Sequence, residues 1–218
     1  LLVNTTGVNN VAVGSGALDA NTTGANNTVV GYNSAGGLTT GNQNVFIGEN
    51  CGIVATTGNT NTCCGRDSGG QLTTGSNNLL LGHDAGKSGS PLHVTSGSNN
   101  IVLGDNNITS ANVKVDWTVS SDQRDKTDIQ DITTGLDFVK QLKPKSFWFK
   151  KDRDSDVKHG DKKYGFLAQD ILALEGSDPV VINNKDEDSL KYQGSHLIPI
   201  LVNAIKELSA KVTALEAG

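Results

Sequence analysis

The sequence predicts a mixed fold. An N-terminal all-β parallel solenoid, or β-roll, of 17-residue repeats assembles as a trimer, and a C-terminal α+β domain follows that ends in a coiled-coil helix. Three observations carry this. A Thr-Thr-Gly triplet recurs every 17 residues, from Thr5-Thr6-Gly7 to Thr73-Thr74-Gly75. Charge density changes near residue 120: residues 1–120 hold six acidic and three basic side chains, and residues 121–218 hold 17 and 15. Apolar residues near the C-terminus are spaced three and four apart in alternation. The predicted boundaries are 1–120 for the repeat fibre and 121–218 for the second domain, with the coiled-coil helix over 196–216.

Each triplet leads into an Asn pair, a short apolar core and a glycine, as in Asn9-Asn10-Val11-Ala12-Val13-Gly14 and Asn77-Asn78-Leu79-Leu80-Leu81-Gly82. A fixed short period of this kind signals a solenoid. Three or four apolar residues per copy are too few for a helix, and Gly and Asn fall where the chain must turn with positive φ. One coil has room for two short strands and two turns, stacked on the next at about 4.8 Å. A sixth, degenerate triplet (Thr95-Ser96-Gly97) follows the fifth by 22 residues, so the loop 87–93 carries an insertion. The strand core is apolar at all three positions, for example Val45, Phe46 and Ile47. Successive side chains face opposite ways, so one face fills the coil and the other needs a second body, a copy of the same chain around a threefold axis. The Asn pairs then stack in register, each amide bonding the next. The competing readings are a monomeric solenoid whose apolar face is capped by something outside this sequence, and a disordered Asn/Gly/Thr linker, against which the regular recurrence of the apolar triplets argues.

Composition excludes several functions. The net charge of −5 is spread over both halves, which leaves no basic face for nucleic acid. No apolar run is long enough for membrane insertion. The chain has no methionine and is expected to begin inside a longer gene product, with any targeting information upstream. Cys51, Cys63 and Cys64 are odd in number and lack metal-site spacing, so neither disulfides nor a metal is expected. Cys63 and Cys64 read as small core residues.

In the second half, Val113–Val119 alternates as a strand. Thr133 or Thr134 can cap a short helix presenting Leu136, Val139 and Leu142, stopped before Pro144. Phe147–Phe149 reads as a strand, 150–163 as a solvated hairpin or loop, Gly165–Leu172 as a helix start and Pro179–Ile182 as a strand. Ser189–Tyr192 leads into the last helix. There Ile198, Leu201, Ile205, Leu208, Val212 and Leu215 form an a/d seam. Ile and Val at a with Leu at d favour two strands in a free coiled coil, against the threefold of the repeats; the surrounding domain is expected to decide.

At the junction lies Ser121-Asp122-Gln123-Arg124-Asp125-Lys126. A lysine held neutral can take a serine proton, and the hydroxyl can attack a carbonyl, the nearest being that of Ser120. The bland alternative is a polar turn between domains. Together with Ile129, the box Gly165-Phe166-Leu167-Ala168-Gln169-Asp170, Tyr192 and Ala204–Leu208, this hexapeptide resembles one family. It is the C-terminal intramolecular chaperone domain of phage tail spikes and tail fibres, endosialidases included, also found in myelin regulatory factor. The repeats resemble, in pattern, the heads of trimeric adhesins and the shafts of phage tail fibres.

The resemblance implies a domain that trimerises, helps the upstream fibre fold and then cuts itself off. It makes Ser121 the nucleophile, Lys126 the general base and Ser120–Ser121 the scissile bond. Asp122 and Arg124 would shape the turn or bridge protomers, and Gly165, Phe166, Gln169 and Asp170 would support the motif. Tyr164 stands where the family often has a basic or histidine residue. His159 and His196 have no motif support and read as surface or packing residues. A lysine base has to be desolvated to be neutral, so the site is expected to form only in the assembled trimer. The implied location is the virion, with the cell surface as alternative; the partner is the chain itself, and a host receptor or glycan would meet the loop 87–93 or Tyr32, Glu49 and Arg66. No cofactor is expected. The main rival is an adhesin or injection-system fibre that never cuts. A trans-acting enzyme finds little support, because Asp19, Glu49, Asp67, Asp84, Asp105 and Asp116 form no catalytic pattern.

Overall fold

A computed structural model describes residues 1–151, 153–185 and 189–218. They divide into two compact units, 1–112 with 150–159, and 113–149 with 160–218.

The repeats form a parallel solenoid. Each contributes one three-residue strand: β1 (Val11–Val13), β2 (Thr28–Val30), β3 (Val45–Ile47), β4 (Thr62–Cys64), β5 (Leu79–Leu81) and β6 (Ile101–Leu103). They pair in sequence order with every residue over its equivalent in the next copy, Val29 on Phe46 and Phe46 on Cys63. The expectation of two strands per coil is corrected to one. Left-handed residues such as Asn26, Asn33, Asn50, Asp67 and Asp84 bend the chain too often for a second strand. The turns stack by their own coil-to-coil bonds instead: Thr22 N–H donates to Thr39 O at 2.9 Å and Thr39 N–H to Thr56 O at 2.9 Å.

Within each strand the middle residue points into the coil. Val29, Phe46, Cys63, Leu80 and Val102 are buried beside Leu18, Leu38 and Leu72. The flanking residues point outward, so Val11, Val13, Ile47, Ile101 and Leu103 are exposed. Cys64 shares that outward column, which corrects its reading as a core residue; Cys51 and Cys63 are buried. The asparagine ladder runs the whole stack. Asn44 Nδ2 donates to Asn27 Oδ1 at 3.0 Å, Asn61 to Asn44 at 3.1 Å and Asn78 to Asn61 at 3.0 Å. Gly48, at φ 137°, closes its turn so near the next coil that a Cβ would lie 2.4 Å from Gly65 O.

The second unit builds on α1 (Leu136–Val139), β7 (Lys145–Lys150), β8 (Lys158–Gly165), α2 (Ala168–Glu175), β9 (Ile182–Asn183), β10 (Lys191–Tyr192) and α3 (Leu197–Glu216). β7 pairs with β8, and β9 antiparallel with β10. Ile171, Val181, Ile182, Leu197 and Ile200 form the core, with Phe138, Leu142 and Phe166 against it.

Three local expectations change and a fourth holds. Val113–Val119 forms no strand; its side chains are exposed and it has no strand neighbour among the described residues. Thr133 and Thr134 do not cap α1: Gly135 holds the cap position, and Glu207 of α3 accepts the Leu136 N–H at 3.1 Å. The strand expected over Pro179–Ile182 is confined to β9, because Glu175 takes the Val180, Val181 and Ile182 N–H groups at 2.9, 2.6 and 3.0 Å. The charged run 150–163 is a hairpin, as expected: β7 ends at Lys150, β8 begins at Lys158 and the two strands pair; Asp152 between them lies outside the described residues.

Candidate self-cleavage site

Residues 123–125 form a single 3₁₀ turn. Asp122 caps it, accepting the Arg124 N–H at 2.9 Å. The same carboxylate holds the Arg124 guanidinium, with Nη2 at 2.6 Å and Nε at 3.1 and 3.2 Å. The Arg124 hydrogen bonds keep the Asp122 carboxyl below the usual carboxylate range, and Asp122 raises the guanidinium in return. Asp122 and Arg124 thus shape the turn.

The turn folds the chain back on itself. Lys126 Nζ donates to Ser121 Oγ at 2.7 Å and to Ser121 O at 3.0 Å. Ser120 Oγ donates to Asp125 Oδ2 at 3.3 Å. All of these side chains are exposed in the single chain. The residues on either side of the 120–121 peptide bond are therefore tied to two consecutive residues across the turn. Asp125 is the participant that sequence reasoning missed, since nothing in a linear motif shows that the chain folds back far enough to reach Ser120.

The remaining candidate residues lie elsewhere. Gly165 ends β8 where a Cβ would come 3.2 Å from Phe147 Cε1. Phe166 packs on the core and against Tyr192, ring centroids 5.9 Å apart. Asp170 sits in the first turn of α2, where a carboxylate suits the helix dipole, and Gln169 is exposed. Among the described residues none of the four is hydrogen-bonded to Ser121 or Lys126. His196 Nδ1 meets Val180 O at 2.8 Å. On α3, Ile198, Leu201, Ile205, Leu208, Val212 and Leu215 are all exposed, while Leu197, Ile200 and Ala204 on a neighbouring face are buried.

Two acidic residues of the repeats are ion-paired with Arg or Lys side chains. Asp67 contacts Arg66 at 2.8 Å and Lys87 at 3.6 Å, and Asp84 contacts Lys87 at 2.9 Å. Burial raises the Asp105 carboxyl, but hydrogen bonds from Asn107 and His83 outweigh it and hold the group low. Asp67, His83 and Asp84 lie close together, but Lys87 already supplies the cation between the two carboxylates.

Fold and site together define a class: a parallel β-solenoid joined to an α+β domain with a Ser-Lys pair at the junction. Residues 121–177 match a peptidase family described as the chaperone of endosialidase. The match opens on Ser121, takes in Lys126 and the Gly165–Asp170 box, and stops short of α3. No curated protein and no solved structure matches the chain. Among the described residues no helix is long and apolar enough to cross a membrane.

Proposed function

We propose that this chain is the C-terminal part of a trimeric phage tail fibre or tail spike. Its second domain drives trimerisation and folding of the β fibre, then cuts the Ser120–Ser121 bond. The observation that carries this is the 2.7 Å contact between Lys126 Nζ and Ser121 Oγ, inside the segment that matches the chaperone family and next to the repeat array.

The chemistry follows from the pairing. Neutral Lys126 takes the Ser121 hydroxyl proton as Oγ attacks the Ser120 carbonyl carbon. The Ser120–Ser121 C–N bond breaks, and the lysine returns its proton to the departing nitrogen, leaving an ester between the Ser120 acyl group and Ser121 Oγ. Water hydrolyses the ester. One chain then ends in the Ser120 carboxylate, and the other begins with the Ser121 amine. Both side chains are exposed in one chain, and a lysine base works neutral, so burial against a neighbouring protomer is the switch that couples cutting to assembly. Bringing three parallel solenoids into register with one another is slow and open to misalignment; tying three C-termini together raises local concentration and sets alignment. Loss of that template after cutting leaves a fibre protected by a kinetic barrier.

Exposure of the dyad also favours a second reading, a fibre whose trimerisation domain stays attached. Denaturing mass spectrometry separates the two. Wild-type chain is expected to give fragments ending at Ser120 and starting at Ser121, and Ser121→Ala and Lys126→Ala only intact chain. Intact wild type under conditions where it is trimeric would overturn self-cleavage and leave a permanent trimerisation domain.

A further inference from the structure

We infer that Asp125 is a positioning residue for the cut: by holding the Ser120 hydroxyl it fixes the acyl side of the scissile bond and sets a requirement for a hydroxyl side chain at position 120. The inference rests on the self-cleavage reading above. Its basis is the pair of five-residue tethers across the 3₁₀ turn. Ser121 is tied to Lys126 by contacts of 2.7 and 3.0 Å, and Ser120 to Asp125 by one of 3.3 Å. The turn sets the spacing of both anchors through Asp125 N–H to Asp122 O at 3.2 Å and Lys126 N–H to Gln123 O at 3.1 Å.

The nucleophile and the carbonyl it attacks belong to adjacent residues, so attack closes a five-membered ring. Whether the hydroxyl meets the carbonyl carbon depends on rotation about the bonds joining residues 120 and 121. Lys126 fixes only the Ser121 side. A flexible Ser120 would spend most of its time with the carbonyl misaligned, and orientation of this kind is worth large factors in rate. An ionised carboxylate only accepts hydrogen bonds, so position 120 has to supply a donor. Serine or threonine does so without adding a charge beside the reacting carbonyl.

The test is a time course of cell-free synthesis of the full chain. Fragment 121–218 is quantified by mass spectrometry, and native mass spectrometry confirms that each variant assembles. Asp125→Ala and Ser120→Ala are each expected to slow cutting by about tenfold, the scale of one hydrogen bond to a charged acceptor. Because both remove the same contact, the double variant should be no slower than either single one. Asp125→Asn and Ser120→Thr keep an acceptor and a donor and should cut within a few-fold of wild type. Asp125→Ala cutting at the wild-type rate, or Ser120→Ala cutting normally while Asp125→Ala is slow, overturns the inference and leaves self-cleavage standing. Uncut wild type overturns both. Should Asp125→Ala fail to assemble, the exposed Ser120→Ala and Ser120→Thr pair still decides, since only loss of the hydroxyl should slow the reaction.

Discussion

Asn44 shows how single residues hold the solenoid. It is fully buried, donates to Asn27 Oδ1 and to Gly58 O at 2.9 Å, and its own oxygen accepts the Asn61 backbone N–H at 2.9 Å. A buried amide is tolerated because every coil passes the same bonds to the next. Asn44→Ala strands groups on both neighbouring coils and should destabilise the solenoid by about 3 kcal/mol. Thermal unfolding of an uncut Ser121→Ala background should show it, whereas Asn9→Ala, exposed at the end of the stack but left-handed at φ 58°, should cost only about 1 kcal/mol. Repetition made these asparagines legible in the sequence. It could not separate Cys63 from Cys64, since both fill apolar positions; only the thin interior, which admits one side chain per strand, sends the first inward and the second out. Asp125 was hidden for another reason: its partner depends on a turn closing, not on a spacing.

Among the elements, α3 presents two apolar faces side by side, one buried and one exposed. Leu197, Ile200 and Ala204 enter the domain core, and Glu207 with Asn203 ties α3 to the start of α1, Asn203 Nδ2 reaching Thr134 O at 3.1 Å. The a/d seam is left exposed, with Ile205 67% and Leu208 50% accessible. The seam was readable because its period is strict. The buried face was not, because three apolar residues beside a longer stripe form no pattern of their own. Short elements were least legible, since single side chains decide them: Glu175 takes the N–H groups of Val180 and Val181 and keeps both out of β9, and Glu207, 71 residues along the chain from Leu136, replaces the threonine cap. The two faces should separate by mutation. Leu208→Asp should leave the domain folded by circular dichroism but reduce the mass by light scattering to one 22.7 kDa chain. Ile200→Ala should instead cost about 2–4 kcal/mol of domain stability. If Leu208→Asp keeps the assembled mass, α3 is not what joins the chains.

For the whole molecule, the question is what covers the solenoid's outward apolar columns. Six strands stacked at about 4.8 Å make a stripe roughly 25 Å long, one column running through Val13, Ile47, Cys64 and Leu103. Such a stripe left in water invites uncontrolled association, and three copies facing a common axis would bury it. Cys64 reads this directly. It lies in register between Ile47 and Leu81 and is exposed, whereas Cys51 and Cys63 are buried. The hydrogen bond with Cys51, and then burial, push the Cys63 thiol far up, away from the reactive thiolate. A maleimide should therefore label the monomeric Leu208→Asp chain at one site, Cys64, and label the assembled protein there far more slowly. If Cys64 reacts equally fast in both, the solenoids do not pack on one another, and the helix alone would have to align three fibres whose apolar stripes remain in water.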